Sequence, residues 1–196
     1  ADMYLDKNGL PINHPNTVFK GYQRLTSEYE DRDPRMDIFF LKPGERFWLF
    51  SQPMYNANWD NLDDPNRGIV YNVEFGFWTQ TGYRNVKFEA EITFPLGNDW
   101  SIIRYTEVLL IYAEASFEKN SKISDTELDL SINKLRDRVG MPHLTNDFVT
   151  TNGLNMLEEI RRERTIELSL EGFRLDDLRR WKTAEIELNQ PLRGIK

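Results

Sequence analysis

Two stretches of this chain put charges inside helix faces that would otherwise be apolar, which limits the folds open to it. The run Glu158–Trp181 reads EEIRRERTIELSLEGFRLDDLRRW, and Arg104–Ala115 reads RYTEVLLIYAEA. Glu107, Glu114, Arg164 and Glu167 are bracketed by Leu, Ile and Ala. A helix built this way cannot simply turn a dry face inward and a wet face outward. Its charges have to find partners at a seam between helices, where a pair sets register more than it adds stability. Glu158, Arg161 and Arg162, at i,i+3 and i,i+4 spacing, read instead as a solvated salt-bridged face worth little per pair. Arg104, Glu107, Ile111, Glu114 and Glu118 fall on one stripe of the upstream helix.

The helical part begins near residue 100. The segment from about Ser101 to Lys119 is apolar on nearly every side and is expected to be central. The next helix has the best-marked ends in the chain. Ser124-x-x-Glu127 forms a capping box, with Ile123 and Leu128 at the staple positions. Leu128, Ile132, Leu135 and Val139 make one stripe; Gly140 follows as the C′ residue and Pro142 blocks continuation. A third helix is predicted over about Leu154–Leu170, ahead of Gly172. A fourth runs from about Leu175 to Thr183 and buries Leu178 and Trp181. Paired helices with short turns suggest tetratricopeptide-like repeats, although two pairs are too few for a free-standing solenoid.

Residues 1–100 read differently. Asn8-Gly9, His14-Pro15, Asp33-Pro34, Lys42-Pro43-Gly44 and Asp63-Asp64-Pro65 punctuate them with turns. Short strands are predicted at Met36–Leu41, Ile69–Phe77 and Asn85–Phe94. In the last, Val86, Phe88, Ala90 and Ile92 form the buried side, and Lys87, Glu89 and Glu91 the wet one. The expected class is mainly α: a loop-rich, short-strand ligand-face region over 1–100 and a helical region over 101–196, parts of one domain.

Composition excludes several functions. The net charge of −7 repels polyanions, so nucleic acid is not an expected partner. There is no cysteine, hence no disulfide, thiolate metal site or Cys nucleophile. His14 and His143 share no metal spacing, and each reads as a surface histidine in a proline-bearing turn. Asp60–Asn66 is oxygen-rich but lacks the alternation and central Gly of a calcium loop, so it reads as a polar turn. No acidic residue lies in a motif that marks a glycosidase pair, and there is no phosphate loop or nucleophile elbow. No catalytic residue, metal or cofactor is expected.

The aromatics are the better functional lead. Phe47, Trp48, Phe50, Tyr55, Trp59, Tyr71, Phe75, Phe77, Trp78 and Tyr83 crowd into loop and short strand. A flat ring stacks on the C–H face of a pyranose, while Asn and Asp side chains satisfy its hydroxyls. Trp59 and Tyr55, beside Asn56, Asn58, Asp60 and Asn61, fit that double demand best. Trp48 and Trp78 follow; Phe47, Phe50, Phe75 and Phe77 read as core.

Four ordered motifs point to a family. They are Arg32-Asp33-Pro34-Arg35, the Arg104–Ala115 helix, Ile132-Asn133-Lys134-Leu135-Arg136-Asp137-Arg138-Val139-Gly140-Met141, and the Glu159–Trp181 block. In this order they resemble the C-terminal portion of the SusD/RagB family, with Thr106 where a small residue is usual. The resemblance implies a mainly helical fold with tetratricopeptide-like repeats supporting a loop-rich ligand face. It implies a non-catalytic lipoprotein on the outer-membrane surface that binds glycan for a SusC-like TonB-dependent transporter. The anchoring cysteine and signal would then lie outside this sequence, which looks like a piece of a larger protein. The motifs are structural, so the resemblance transfers a role and not a site.

Overall fold

The computed structural model describes residues 1–23, 26–40, 83, 85–88 and 101–191. Among them, helices follow in the order α1 (Arg35–Phe39), α2 (Tyr105–Asn120), α3 (Asp125–Asp129), α4 (Ile132–Val139), α5 (Asn146–Thr151), α6 (Met156–Glu167), α7 (Arg174–Trp181) and α8 (Ala184–Leu188). Extended pairing among the described residues consists of two isolated antiparallel bridges, Asp6 with Arg32 and Phe40 with Asn85. The chain is mainly helical, as its sequence predicts.

The helix ends follow local chemistry. Ser124 accepts from the Glu127 N–H at 3.3 Å, and Glu127 Oε2 accepts from the Ser124 N–H at 2.8 Å, closing the capping box. Gly140 ends α4 with φ 70°, a left-handed conformation that other residues adopt at a cost. The single helix expected through Leu128–Val139 breaks between α3 and α4. Ser131 causes the break: its hydroxyl bonds back to the Glu127 carbonyl at 2.6 Å, and its backbone leaves the helical region at φ −131°, ψ −94°. Leu128, Ile132 and Leu135 are still buried together, while Val139 is half-buried.

Two predicted strands are corrected. Met36–Phe39 form α1, because Pro34 presets φ at −57° and the Asp33 carboxylate accepts from the Arg35 N–H at 2.9 Å. Of the predicted Asn85–Phe94 strand, residues 89–94 lie outside the described residues; Asn85 does pair with Phe40, but the chain turns at Lys87–Phe88, and these two side chains exchange the sides predicted for them. Phe88 is exposed, whereas the Lys87 ammonium points inward to the Glu167 and Ser169 carbonyls at 2.7 and 2.9 Å. The Ile69–Phe77 strand lies outside the described residues.

Among the described residues, two clusters make the core. The larger joins Leu109, Leu110 and Ala113 of α2 to Leu128, Ile132, Leu135, Leu144, Val149, Met156 and Ile160. The smaller packs Tyr4, Tyr29, Met36 and Phe39 on Ile166. Helix α6 contributes to both and is the central element. Helix α2 is not: it buries one side and leaves Tyr105, Val108, Ile111 and Tyr112 exposed. Ile111 therefore lies outside the seam that holds Glu114.

Candidate functional site

Between the two clusters runs a seam of buried charge. Arg35 is fully buried; its guanidinium donates to Asp33 at 2.7 to 3.2 Å, to Glu163 at 2.5 Å and to Glu167 at 3.2 Å. Arg136 donates to the other Glu163 oxygen at 3.0 Å, and Arg138 to Glu167 at 2.6 Å. Arg104 and Lys87 meet on Glu171 at 2.5 and 2.6 Å. A second knot holds α2, α6 and α7 together. Arg180 is bidentate on Glu114 at 2.7 and 2.8 Å, the Trp181 indole donates to the same carboxylate, and the Arg164 Nε–H is shared between the two oxygens of Asp177.

Glu114, Arg164 and Glu167 are thus buried and paired, and Glu107 is half-buried at the edge. Glu158 is exposed, and Arg162 turns to Glu159 at 3.2 Å instead. Burial pushes the Glu163 carboxyl up, but Arg35 and Arg136 more than offset this and hold it below its ordinary 4.5. These carboxylates are closed in by guanidinium groups, so the seam offers no acid or base to a substrate. Its role is structural.

An open polar cleft of about 530 Å³ lies where the 11–15 loop meets the start of α6, with Asn13, His14, Asn155, Glu158 and Arg162 in its walls. His14 Nε2 donates to the Asn152 carbonyl at 3.0 Å, and Nδ1 accepts from the Asn16 N–H at 3.2 Å, which fixes the tautomer. Both imidazole nitrogens are thereby spent inside the protein, and the amide and guanidinium groups around a cleft of that size are the ones that can satisfy hydroxyls. Nothing in the local sequence marks these residues, because the loop and α6 are more than a hundred residues apart. His143 is exposed and bound to Asp137 at 2.7 Å. Among the described residues no three His, Asp or Glu side chains group as a metal site.

Trp59, Tyr55, Trp48 and Trp78 all lie outside the described residues, as does the Asp60–Asn66 turn. Of the aromatic crowd, Tyr83 is described. Its hydroxyl donates to Glu28 and its ring lies 5.7 Å from that of Phe40, so it packs inward.

A mainly helical chain pinned by a buried ion-pair seam between separate motifs defines the class. The SusD family model matches residues 1–196, and the chain belongs to the SusD family. It is similar to a SusD-like carbohydrate binding protein from Bacteroides fragilis, with 30% identity and a TM-score of 0.67 over 99% of this chain and 36% of that one. A second SusD-like protein from the same organism matches at 26% identity and a TM-score of 0.61, over 93% of this chain and 35% of its own. The chain therefore spans about a third of the length of these relatives. No curated protein matches it.

Proposed function

We propose that this chain is part of a non-catalytic, cell-surface protein that binds oligo- or polysaccharide for uptake through a SusC-like TonB-dependent transporter. The observation that carries the reading is membership of the SusD family, in which a 30% identical relative is described as carbohydrate binding. The protein is held at the outer membrane by a lipid anchor; among the described residues no helix is long and apolar enough to cross a membrane. Stacking on the sugar is assigned to Trp59 and Tyr55, supported by Trp48 and Trp78.

Calorimetric titration with a panel of soluble glucans, xylans and mannans tests this, with reducing-sugar release as the check on catalysis. Binding to at least one glycan without turnover is expected; release of reducing ends, or no binding at all, overturns the reading. Trp59→Ala is expected to weaken binding by about 1 to 3 kcal/mol with the melting temperature nearly unchanged. A Trp59→Ala protein that unfolds would remove Trp59 from the site.

One observation favours a second reading, a helical docking module with little glycan affinity of its own. The exposed Tyr105, Val108, Ile111 and Tyr112 give α2 an uncovered apolar face. A protein partner would cover it.

A further inference from the structure

A cleft of about 340 Å³ opens along the edge of the charged seam, where the end of α1, residues 87–88, Arg104 and the end of α4 meet over α6. Phe39, Lys87 and Glu167 form its floor, and Ile38, Phe88, Arg104, Arg138 and Val139 its rim. Ile38 and Phe88 are exposed, and the Arg138 and Arg104 side chains are 48% and 26% exposed. The cleft therefore offers solvent an apolar side and a cationic side. It shares no residue with the polar cleft beside the 11–15 loop.

The carboxylate in its floor is fully occupied. Glu167 Oε1 accepts from Arg138 at 2.6 Å and lies 3.7 Å from the Arg104 guanidinium, while Oε2 accepts from Arg35 at 3.2 Å. The Lys87 ammonium is occupied as well, by the Glu167 and Ser169 carbonyls and by Glu171. The two rim arginines are not. Among the described residues Arg138 makes one hydrogen bond, which leaves its Nε–H and Nη1 open. Arg104 places Nε and Nη2 on Glu171 and the Glu167 carbonyl, which leaves Nη1 open. Two guanidinium groups that converge on one oxygen hold their unused N–H groups near each other, an arrangement suited to a second carboxylate.

The charge balance leaves room for that anion. Arg35, Lys87, Arg104, Arg136 and Arg138 face Asp33, Glu163, Glu167 and Glu171, five positive charges against four negative. Glu107 lines a separate, smaller cleft on the other side of Arg104, and among the described residues it pairs with none of these cations. The chain as a whole carries −7, which repels a continuous polyanion but tolerates a lone carboxylate on a neutral polymer. The cleft stands at the small end of ligand pockets, with room for one sugar ring.

We propose that this cleft binds a single uronic-acid residue carried by an otherwise neutral glycan. Its carboxylate accepts from Arg138 and Arg104, and the C–H face of its ring packs on Phe88 and Ile38. Such a site rests on the glycan reading above and narrows its substrate class, but it uses none of the residues assigned there to stacking.

Methyl glucuronoside and methyl glucoside differ at one carbon, carboxylate against hydroxymethyl, and NMR titration of the 196-residue chain with each tests the site. The glucuronoside is expected to bind about tenfold more tightly, the effect of one charge-assisted hydrogen bond, with saturable shifts at Lys87, Arg138 and Val139. Arg138→Gln is expected to erase that preference. Because Arg138 also pairs with the buried Glu167, a second variant leaves the seam intact: Ile38→Glu sets an anion on the exposed rim and is expected to erase the preference too. Equal affinity for the two glycosides, shifts confined to other surfaces, acetate binding as tightly as the glucuronoside, or a preference that survives in either folded variant would each overturn the proposal. Neutral glycans that bind with no preference for the glucuronoside would overturn this site alone, whereas a chain that binds no glycan at all would overturn the glycan reading with it.

Discussion

Glu159 and Glu163 stand one turn apart on α6, both buried, with opposite electrostatic situations. Glu163 is clasped by two guanidinium groups and titrates below its ordinary value. Burial raises Glu159 above 4.5 despite help from Arg162 and Arg136, and its Oε2 lacks a partner. The signs then differ. A depressed carboxyl contributes stability that is present above its unfolded pKa and lost as pH falls through the folded one; a raised carboxyl makes the fold less stable as pH climbs from its unfolded to its folded pKa. Glu163→Gln is expected to cost about 3 to 5 kcal/mol at neutral pH, with the deficit shrinking below pH 4.5. Glu159→Gln is expected to gain on wild type as pH rises above 4.5. Urea denaturation of both variants between about pH 3 and 7 measures the two slopes; slopes of the same sign would show that the clasp around Glu163 does not set its charge. The sequence reveals which charges must be buried, because Leu, Ile and Ala bracket Glu114, Arg164 and Glu167. It does not reveal their partners. Arg35 finds Glu163 across 128 positions, and pairing at that separation leaves no local trace.

At the scale of elements, legibility tracks how local the determinants are. The capping box of α3 and the Gly140 end of α4 could be read because each lies within a few neighbouring residues. The Ser131 break could not, since a serine in mid-helix is ordinarily tolerated and here acts through one back-bond to Glu127. Helices α1, α5 and α8 are each five or six residues long, below the length at which periodicity speaks. What holds the broken segment in place is Asn133, fully buried on α4. It accepts from the Leu144 N–H at 2.8 Å, donates to the Leu144 carbonyl at 3.1 Å, and reaches Asp129 on α3 at 2.7 Å. Asn133→Ala is expected to destabilise the chain by about 2 to 3 kcal/mol, because it strands both backbone groups of a buried leucine. Hydrogen exchange at the Leu144 amide is expected to accelerate in that variant. An unchanged exchange rate would mean the α4–α5 connection is held by its apolar contacts alone.

For the whole molecule, the family motifs turn out to be parts of one device. The Arg35 motif meets the Glu163 block, Arg136 and Arg138 join from α4, and Glu114 of α2 receives Arg180 and Trp181 from the end of α7. Ordered motifs were readable in the sequence because each contributes charges to this common seam. The stacking residues proposed for glycan were approachable only through composition, since ring stacking needs exposure, and exposure follows from tertiary placement rather than from neighbouring residues.

The same assembly leaves α2 covered on one side only. Tyr105 is 67% exposed, Ile111 51%, Val108 49% and Tyr112 42%, with Ile102 and Ile103 just ahead of them. The spacing from Tyr105 to Val108, Ile111 and Tyr112 keeps these side chains along one side of the helix. A continuous apolar strip beyond a few hundred Å² drives association in water. The 196-residue chain is therefore expected to self-associate, with an apparent mass by light scattering that climbs through a micromolar-to-millimolar series. Val108→Lys with Ile111→Glu puts opposite charges into the middle of the strip. Both positions are exposed, so the pair is expected to shift stability by no more than about 0.5 kcal/mol per site while abolishing the concentration dependence. A wild-type chain that stays monomeric across the whole series would show that the strip is too small or too interrupted to drive association. A charged variant that still associates would place the contact on another face.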